Sequence, residues 1–131
     1  MTTFDNPATV PAPPPGRYSH VARIELGDKT MLVLSGQVAV DADGRLVGEN
    51  DMRAQAEYVM DTIEAILKAH GATFADVVNI RTFLTDMDRI GEYGEARVPR
   101  FTGMPPTSTT VEVSRLFVPG ALLEVEVTAV I

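Results

Sequence analysis

The last third of the chain alternates between apolar and polar residues, which is the pattern of a β-strand with one buried face. Two segments have this pattern, residues 108–113 and residues 122–130. The odd-numbered apolar positions are Val111, Val113, Leu123, Val125 and Val127, and the even-numbered polar positions are Ser108, Thr110, Glu112, Glu124 and Glu126. We therefore predict a C-terminal hairpin whose odd face joins the core and whose even face carries the chemistry.

Three more strands are predicted upstream of this hairpin. They cover residues 21–26, 31–34 and 77–85. The second of these is a run of four apolar residues, which predicts a central strand buried on both faces. Turns are predicted at Gly27-Asp28 and over residues 41–44, because glycine and aspartate favour turn conformations.

Two helices complete the pattern. The first is expected to be capped by Asn50 or Asp51 and to stop at Gly71. Its apolar residues recur at helical spacing and are Ala56, Val59, Met60, Ile63, Ile66 and Leu67. The second helix, over residues 86–100, contains two glycines and a proline, so it is expected to be short or irregular.

The N-terminal segment has a different composition from the rest of the chain. Residues 1–15 contain five prolines among small and polar residues. This composition predicts a flexible or polyproline-like arm with no core of its own. The folded part is expected to be a single domain over residues 16–131, since 131 residues suit one hydrophobic core.

The order of the elements predicts an α+β fold, with two helices packed on one face of a mixed sheet. The helices can cover only that face. The other face includes apolar positions of the central strand, and exposed apolar surface of this kind is commonly buried against another copy of the chain. We therefore expect a homo-oligomer.

Composition excludes several classes of function. The net charge is −7, whereas nucleic-acid binding normally needs a basic face, so nucleic acid is not the expected partner. The chain has no cysteine and only two histidines, so neither a thiol nucleophile nor a metal site is expected. No segment is long and apolar enough to span a membrane, and no export signal is visible, so we expect a cytoplasmic protein.

Five short motifs then occur in the order and at the separations of a known family. They are Gly16-Arg17-Tyr18-Ser19-His20, Leu34-Ser35-Gly36-Gln37, the segment AILKAHGA at 65–72, Asp76-Val77-Val78, and the C-terminal strands with Val111-Glu112-Val113 and Leu123-Glu124-Val125-Glu126. From about residue 18 to residue 130 the chain resembles the RidA/YjgF family, whose name stands for reactive intermediate deaminase.

The resemblance implies a chorismate-mutase-like fold of the bacillus type and a homotrimer with three clefts, each between neighbouring subunits. It implies hydrolysis of enamines and imines, the products of pyridoxal-phosphate enzymes, to keto acids and ammonia, with no cofactor or metal. A small-molecule ligand in the inter-subunit cleft is then the expected partner. By the same resemblance Glu124 is the water-positioning glutamate. From their chemistry, Tyr18 is a candidate to cover the ligand or to hydrogen-bond its polar end, and Ser35-Gly36 is a candidate to offer a backbone N–H to an anionic group.

Three residues depart from the family pattern. Active deaminases carry an arginine that grips the substrate carboxylate at the position of Ser108, and an asparagine at the position of Gly94 on the second helix. The glutamine that follows Tyr-Ser in the family is His20 here. A histidine can act as an acid or base near neutral pH, although a lone histidine at the start of a strand is typically a surface residue.

The missing arginine bears on the ligand. An arginine–carboxylate contact is charge-assisted, and its loss costs about 1.5–3 kcal/mol, which one serine hydroxyl does not replace. Unless Arg17, Arg97 or Arg100 reaches the cleft, we expect that the substrate is not a small 2-imino acid.

Each candidate residue also has a purely structural interpretation. Glu124 can be a solvated glutamate on an outward strand face, Tyr18 an aromatic anchor, and Ser35-Gly36 a strand end with a tight turn. Ser108 and Thr110 can bind a neutral polar ligand or simply belong to a threonine-rich strand.

Three functions therefore compete. The first is a deaminase-like hydrolase acting on an enamine or imine. The second is a trimer that binds a small metabolite without turning it over, which the loss of the arginine favours. The third is a ribonuclease or a chaperone-like surface, and the acidic charge disfavours the ribonuclease.

Overall fold

The helices and strands predicted from the residue pattern are present, and a further strand joins them. The computed structural model describes all of residues 1–131. Its strands are β1 (Thr2–Asp5), β2 (Val21–Leu26), β3 (Lys29–Leu34), β4 (Val77–Leu84), β5 (Thr107–Glu112) and β6 (Leu123–Val130). Its α-helices are α1 (Met52–Ala69) and α2 (Ile90–Arg97), and short 3-10 turns flank α2 on both sides, as expected for an irregular second helix.

The six strands form one mixed sheet in the order β1-β2-β3-β6-β4-β5. Only the β4–β5 pair is parallel, and α2 lies in the crossover that a parallel connection requires. Because β4 lies between β5 and β6, the predicted C-terminal hairpin is wrong. The two-layer α+β architecture, with two helices on a mixed sheet, is confirmed.

The two faces of the sheet differ in what covers them. Along β6 the odd positions, from Leu123 to Ala129, are buried on the helix side. The even positions, including Glu124 and Glu126, lie on the opposite side, which we call the bare face. The register pairs Glu124 with Phe83 and Glu126 with Arg81, so these β4 residues share the bare face.

Strand β5 does not follow the predicted parity. Its parallel register pairs Ser108 with the buried Ile80, and Thr110 with the buried Thr82. Ser108 and Thr110 therefore lie on the helix side, opposite to Glu124, and their predicted grouping with Glu124 on one face is wrong. The physical reason is that β5 is an edge strand with little burial on either face, so its alternation carries no information about the core.

The first helix supplies most of the core on the helix side. Its six apolar residues at helical spacing are all fully buried. The Asp51 side chain accepts a hydrogen bond from the Ala54 amide at 3.0 Å and caps the helix, and Gly71 ends it with a φ of 78°.

A buried glutamine connects this helix to the start of β6. The Nε2 atom of Gln55 donates to the carbonyl oxygens of Gly48 and Gly120 at 3.0 and 3.1 Å. Its Oε1 atom accepts from the Leu122 amide at 2.8 Å. The side-chain amide therefore fixes the position at which β6, and with it Glu124, begins.

The N-terminal arm packs against the sheet. Residues 2–5 form β1, which pairs antiparallel with β2. Pro7 and Pro13 are buried, and the Pro11 carbonyl accepts a hydrogen bond from Nε2 of His20 at 2.7 Å. Proline is compatible with extended, packed backbone, so a proline-rich composition alone does not distinguish an arm that is free from one that is packed.

His20 lies in the interior, contrary to the surface position expected for it. Only 4% of it is exposed. Because the Pro11 carbonyl can only accept, Nε2 carries the proton and Nδ1 accepts from the Gln37 side chain at 3.3 Å. Both ring nitrogens are hydrogen-bonded, so His20 connects the arm to the sheet.

The bare face carries apolar side chains from every strand. They are Phe4, Ala22, Ile24, Met31, Val33, Phe83, Val111 and Val130. Val33 is 39% exposed, so the predicted burial of its strand on both faces is wrong within one protomer. No helix has the combination of length and hydropathy needed to span a lipid bilayer.

Candidate functional site

A cavity of about 210 Å³ opens on the bare face beside the start of β6. Its walls are Tyr18, Ser35, Gly36, Val38, Phe117, Val118 and Glu124. The structure thus brings together four of the six residues predicted to form the site. A neighbouring depression of about 500 Å³ shares several of these residues and is bounded on its far side by Pro11–Pro15 of the N-terminal arm.

Local backbone pairing sets the distance between Gly36 and Glu124. The amide of Gln37 donates to the Val125 carbonyl at 2.8 Å, and the Val125 amide donates back at 3.1 Å. This bridge brings the end of β3 alongside β6. A Cβ atom added to Gly36 would overlap the Glu124 carboxylate, so a larger residue here would force that side chain to move.

The Glu124 carboxyl is electrostatically unusual. Burial raises its pKa, and the negative charge of the nearby Glu126 raises it further. Glu126 itself is paired with Arg81 at 2.9 Å, whereas Glu124 has no basic partner. A carboxyl with a raised pKa is suited to accept and return a proton at physiological pH.

Tyr18 and the Ser35-Gly36 pair have different relations to this carboxyl. Burial and the charge of Glu124 raise the pKa of Tyr18, so its hydroxyl stays protonated and can donate. The Ser35 hydroxyl donates to the Ser19 carbonyl at 2.6 Å and holds the Tyr18 segment in place. The Gly36 N–H has no hydrogen-bond partner within the chain and is available to a ligand.

A second crevice, of about 350 Å³, lies on the helix side between α2 and β5. Its walls are Ile90, Tyr93, Gly94, Arg97, Val98, Phe101, Pro105, Pro106 and Thr110. Thr110 is therefore in a crevice, but not in the one that holds Glu124. Ser108 is exposed and lines neither crevice.

The three candidate arginines have three different surroundings. Arg100 is neutralised by Glu57 and Asp61, at 2.7 and 2.8 Å. Arg17 is exposed on the loop before Tyr18. Arg97 lines the second crevice, where its guanidinium lies over the rings of Tyr93 and Phe101 at 5.8 and 5.7 Å from the ring centroids.

Two residues of these crevices were not assigned to the site from the sequence. Phe117, which is 95% exposed, lines the Glu124 cavity. The sequence signal for this residue is a large aromatic side chain in a loop that has no periodic pattern. Arg97 was only one of three candidates, and sequence alone does not tell which one lacks an acidic partner. No group of three histidine, aspartate or glutamate side chains is placed to hold a metal ion.

Comparisons with known proteins agree with this fold over nearly the whole chain. The family model described as Endoribonuclease L-PSP matches residues 9–131. The chain is 37% identical over 115 residues to Protein DfrA of Myxococcus xanthus, covering 88% of this chain and 86% of that protein. It is 36% identical over 120 residues to a RutC family protein of Sulfurisphaera tokodaii, covering 91% and 92%.

Solved structures give the same result. YyfA of Yersinia pestis, described as a protein of unknown function of the conserved Rid protein family, superposes with a TM-score of 0.88 at 32% identity, covering 100% of both chains. RidA from an Antarctic Psychrobacter species gives a TM-score of 0.83 at 28% identity, covering 98% of this chain and 99% of that one. The match over residues 9–131, together with relatives above 30% identity, means that the chain belongs to the RidA/YjgF/RutC family.

Proposed function

We propose that the protein is a deaminase-type hydrolase that releases ammonia from a reactive enamine or imine, without a cofactor or metal. The observation that carries this proposal is the Glu124 carboxyl, which has a raised pKa and no basic partner, in a cavity with the Tyr18 hydroxyl and the unpaired Gly36 N–H. Membership of the RidA/YjgF/RutC family supports the same reaction class. The cytoplasmic location expected from the sequence is part of the proposal.

In the proposed reaction, a water oxygen attacks the carbon of a protonated imine while Glu124 takes a proton from that water. A C–O bond forms, the C=N π bond breaks, and a carbinolamine results. Protonated Glu124 then gives its proton to the nitrogen, the C–N bond breaks and releases ammonia, and the remaining hydroxyl proton passes to that ammonia as the carbonyl forms. One protonated imine and one water thus give one carbonyl compound and one ammonium ion, and the raised pKa suits Glu124 to both proton transfers.

We further propose that the working unit is a homotrimer with its sites between neighbouring copies. Within one protomer, Glu124 lies on the bare face and Thr110 lies on the helix side, so one small ligand cannot touch both. The apolar residues of the bare face give a physical reason for association. The edge strand β5, which bears Ser108 and Thr110, is free to approach the bare face of another copy.

A non-catalytic metabolite-binding trimer is the second candidate, and Ser108 is the observation that favours it. Ser108 stands where the family's carboxylate-binding arginine is expected, and it is exposed and lines neither crevice. For the same reason we propose that the substrate of the enzyme is not a small 2-imino acid such as 2-iminopropionate but a bulkier or uncharged imine. Ribonuclease activity, which the description of the family model names, is not favoured because the net charge is −7.

The test is an ammonia-release assay on imines generated in situ by an amino-acid oxidase, with spontaneous hydrolysis subtracted. We expect acceleration with the imine made from leucine, and a loss of about a hundredfold or more in the Glu124→Gln variant, which is the usual size of a lost general acid–base. The matched control is Glu64→Gln, which changes an exposed glutamate of α1.

A second variant separates the two candidate functions. Ser108→Arg restores the residue that the family pattern expects, and we expect it to raise kcat/KM about ten- to a hundredfold with 2-iminopropionate, the imine made from alanine. If neither the wild type nor Ser108→Arg exceeds background on any imine, the hydrolase proposal is wrong and the binding module is preferred.

A further inference from the structure

We infer that Arg97 is the anion-binding residue of the second crevice, and that the ligand of this protein therefore carries a carboxylate on a largely apolar body. The inference deepens the proposed function, and it rests on that proposal only for the claim that the same molecule reaches Glu124 of a neighbouring copy. The family position for this role is Ser108, so the inference moves the role from β5 to α2.

Arg97 differs from most arginines of the helices and strands because it has no carboxylate partner. Of the other eight arginines, Arg17, Arg45 and Arg115 are exposed loop residues without a carboxylate partner, and the remaining five each touch a carboxylate: Arg23, Arg53, Arg81, Arg89 and Arg100. Arg97 is half-buried, yet it touches no acidic side chain. A guanidinium that is partly withdrawn from water gains most from a carboxylate partner, and no residue of the protomer supplies one.

The Arg97 side chain is also held in place by its neighbours. One of its terminal nitrogens donates to the Tyr93 hydroxyl at 3.3 Å, and that hydroxyl is itself fixed by a hydrogen bond to Thr82 at 2.6 Å. The flat guanidinium also lies over the Tyr93 and Phe101 rings. Such stacking orders the planar group before the ligand arrives, so less entropy is lost on binding.

The walls of the second crevice favour a singly charged ligand with an apolar body. Beside Arg97 the crevice offers the Thr110 hydroxyl, which makes no hydrogen bond within the chain. The remaining walls are mainly apolar and consist of Ile90, Val98, Phe101, Pro105 and Pro106, together with Tyr93 and Gly94. One cation and one hydroxyl match a singly charged carboxylate, whereas a doubly charged phosphate is normally held by several cationic or N–H groups. The apolar walls favour an aliphatic or aromatic body.

Gly94 lies next to Arg97 on the crevice wall. A Cβ atom on Gly94 would meet nothing within 4 Å, so packing within the protomer does not require glycine there. Glycine inside a helix costs roughly 0.5–1 kcal/mol relative to alanine. The glycine lowers helix stability but leaves open space beside Arg97, and a ligand-binding crevice needs such space.

The test compares two probes that differ in charge and hardly in shape, 4-methyl-2-oxopentanoate and 4-methyl-2-oxopentanamide. NMR titrations of the full-length protein follow the Arg97 Nε–Hε signal and the backbone amides. We expect the wild type to bind the carboxylate at least about tenfold more tightly than the amide, and the Arg97 signal to move with the carboxylate. Arg97→Met is expected to remove this preference by weakening the carboxylate alone.

Two further variants keep the test decisive. Arg45→Met removes an exposed arginine outside both crevices and is expected to leave both affinities unchanged. Arg97→Lys keeps the charge without the planar fork, so it is expected to retain a weaker preference for the carboxylate, and it replaces Arg97→Met if that variant does not fold. A carboxylate preference that survives in Arg97→Met, or an equal loss of both probes in Arg97→Lys, overturns the inference.

Both probes are stable products, so this result does not depend on turnover. If imines are not hydrolysed but the carboxylate preference depends on Arg97, the hydrolase proposal fails and the inference stands. If imines are hydrolysed while Arg97→Met leaves the preference for the carboxylate intact, the inference fails and the hydrolase proposal stands.

Discussion

The two crevices of this protomer are opposites in charge and in construction. The Glu124 cavity lies on the bare face of the sheet and contains a carboxyl with no cation, whereas the α2–β5 crevice lies on the helix side and contains Arg97 with no carboxylate. Each crevice therefore offers one of the two groups, a carboxyl or a cation, that the proposed ligand needs. Under the proposed function, one protomer divides acid–base chemistry and anion binding between two faces of a single sheet.

The two crevices also differ in how firmly they are held. Glu124 lies on β6, which pairs with β3 and β4 and is fixed at its start by Gln55. Arg97 ends an eight-residue helix that has no side-chain cap and lies between two 3-10 turns. Glu124 is thus held by more backbone and side-chain hydrogen bonds of its surroundings than the α2 segment that bears Arg97.

The largest expected effect comes from separating the copies. Val33→Asp places a charge in the middle of the bare face, where Val33 is already exposed in the protomer and is paired with Thr128 of β6. We expect trimers to dissociate into folded monomers, and ammonia release to fall to background because neither crevice is complete alone. Light scattering after size exclusion measures the mass.

The control for this prediction is Met104→Asp, which changes an exposed apolar residue outside the sheet and should leave the mass unchanged. Full activity in a monomeric Val33→Asp variant would show that one protomer suffices, and the comparison of two half-sites would then be wrong.

The next effect comes from filling the space between β3 and β6. Gly36→Ala places a Cβ where the Glu124 carboxylate lies, so either the carboxylate or the backbone bridge must move. We expect a loss of stability of about 1–3 kcal/mol, typical of overpacking, together with a loss of turnover. Chemical denaturation measures the first and the ammonia assay measures the second.

Gly103→Ala is the matched control, because a Cβ at Gly103 meets nothing within 4 Å. If Gly36→Ala keeps wild-type turnover, the close approach of Gly36 to Glu124 is not required by the chemistry.

A smaller effect concerns the pH dependence of stability. The folded state raises the pKa of Glu124, so it binds this proton more tightly than the unfolded chain does. The stabilisation is therefore complete at low pH, and it is lost as the pH rises from the ordinary glutamate value of about 4.3 through the raised pKa. Glu124→Gln removes this loss, so its Tm should exceed that of the wild type by a few degrees near pH 8 and approach it near pH 4.

Thermal melts of both proteins across that range measure the difference. Glu64→Gln, which changes an exposed residue, should follow the wild type at every pH. A constant Tm difference between wild type and Glu124→Gln at all pH values would contradict the raised pKa.

The smallest effect distinguishes two glycines of the same helix. Gly91 and Gly94 both have open space where a Cβ would be, but only Gly94 lines the Arg97 crevice. We expect Gly91→Ala and Gly94→Ala each to stabilise the protein by roughly 0.5–1 kcal/mol. Only Gly94→Ala should weaken the binding of 4-methyl-2-oxopentanoate, and equal affinities for the two variants would argue against a ligand at α2.

Prediction of the elements from sequence succeeded where one face of an element is buried and the other is exposed. The pattern located α1 and β6 correctly because one face of each is buried and the other is not. It failed for β5, whose edge position leaves both faces accessible, so Ser108 and Thr110 were assigned to the wrong face. It also failed for the N-terminal arm, since the contacts of Pro11 and His20 join distant parts of the chain.

The same reasoning applies to the site. The grouping of Tyr18, Ser35, Gly36 and Glu124 came from a family resemblance, and these residues do line one cavity. The position of Arg97 was not predictable, because the reach of a long side chain and its lack of an acidic neighbour depend on tertiary packing. The roles of all these residues in binding or turnover stay predictions until the variants above are measured.

The three hydrogen bonds of Gln55 have a consequence for how relatives of this protein can diverge. Two of them anchor the segment before β6 at Gly120 and Leu122, which lie three residues and one residue upstream of the strand that bears Glu124. The stretch from Ser114 to Pro119, including Phe117, lies outside that anchor and belongs to no helix or strand. We therefore expect insertions and deletions there to leave Glu124 in place while they reshape the wall that Phe117 contributes to its cavity.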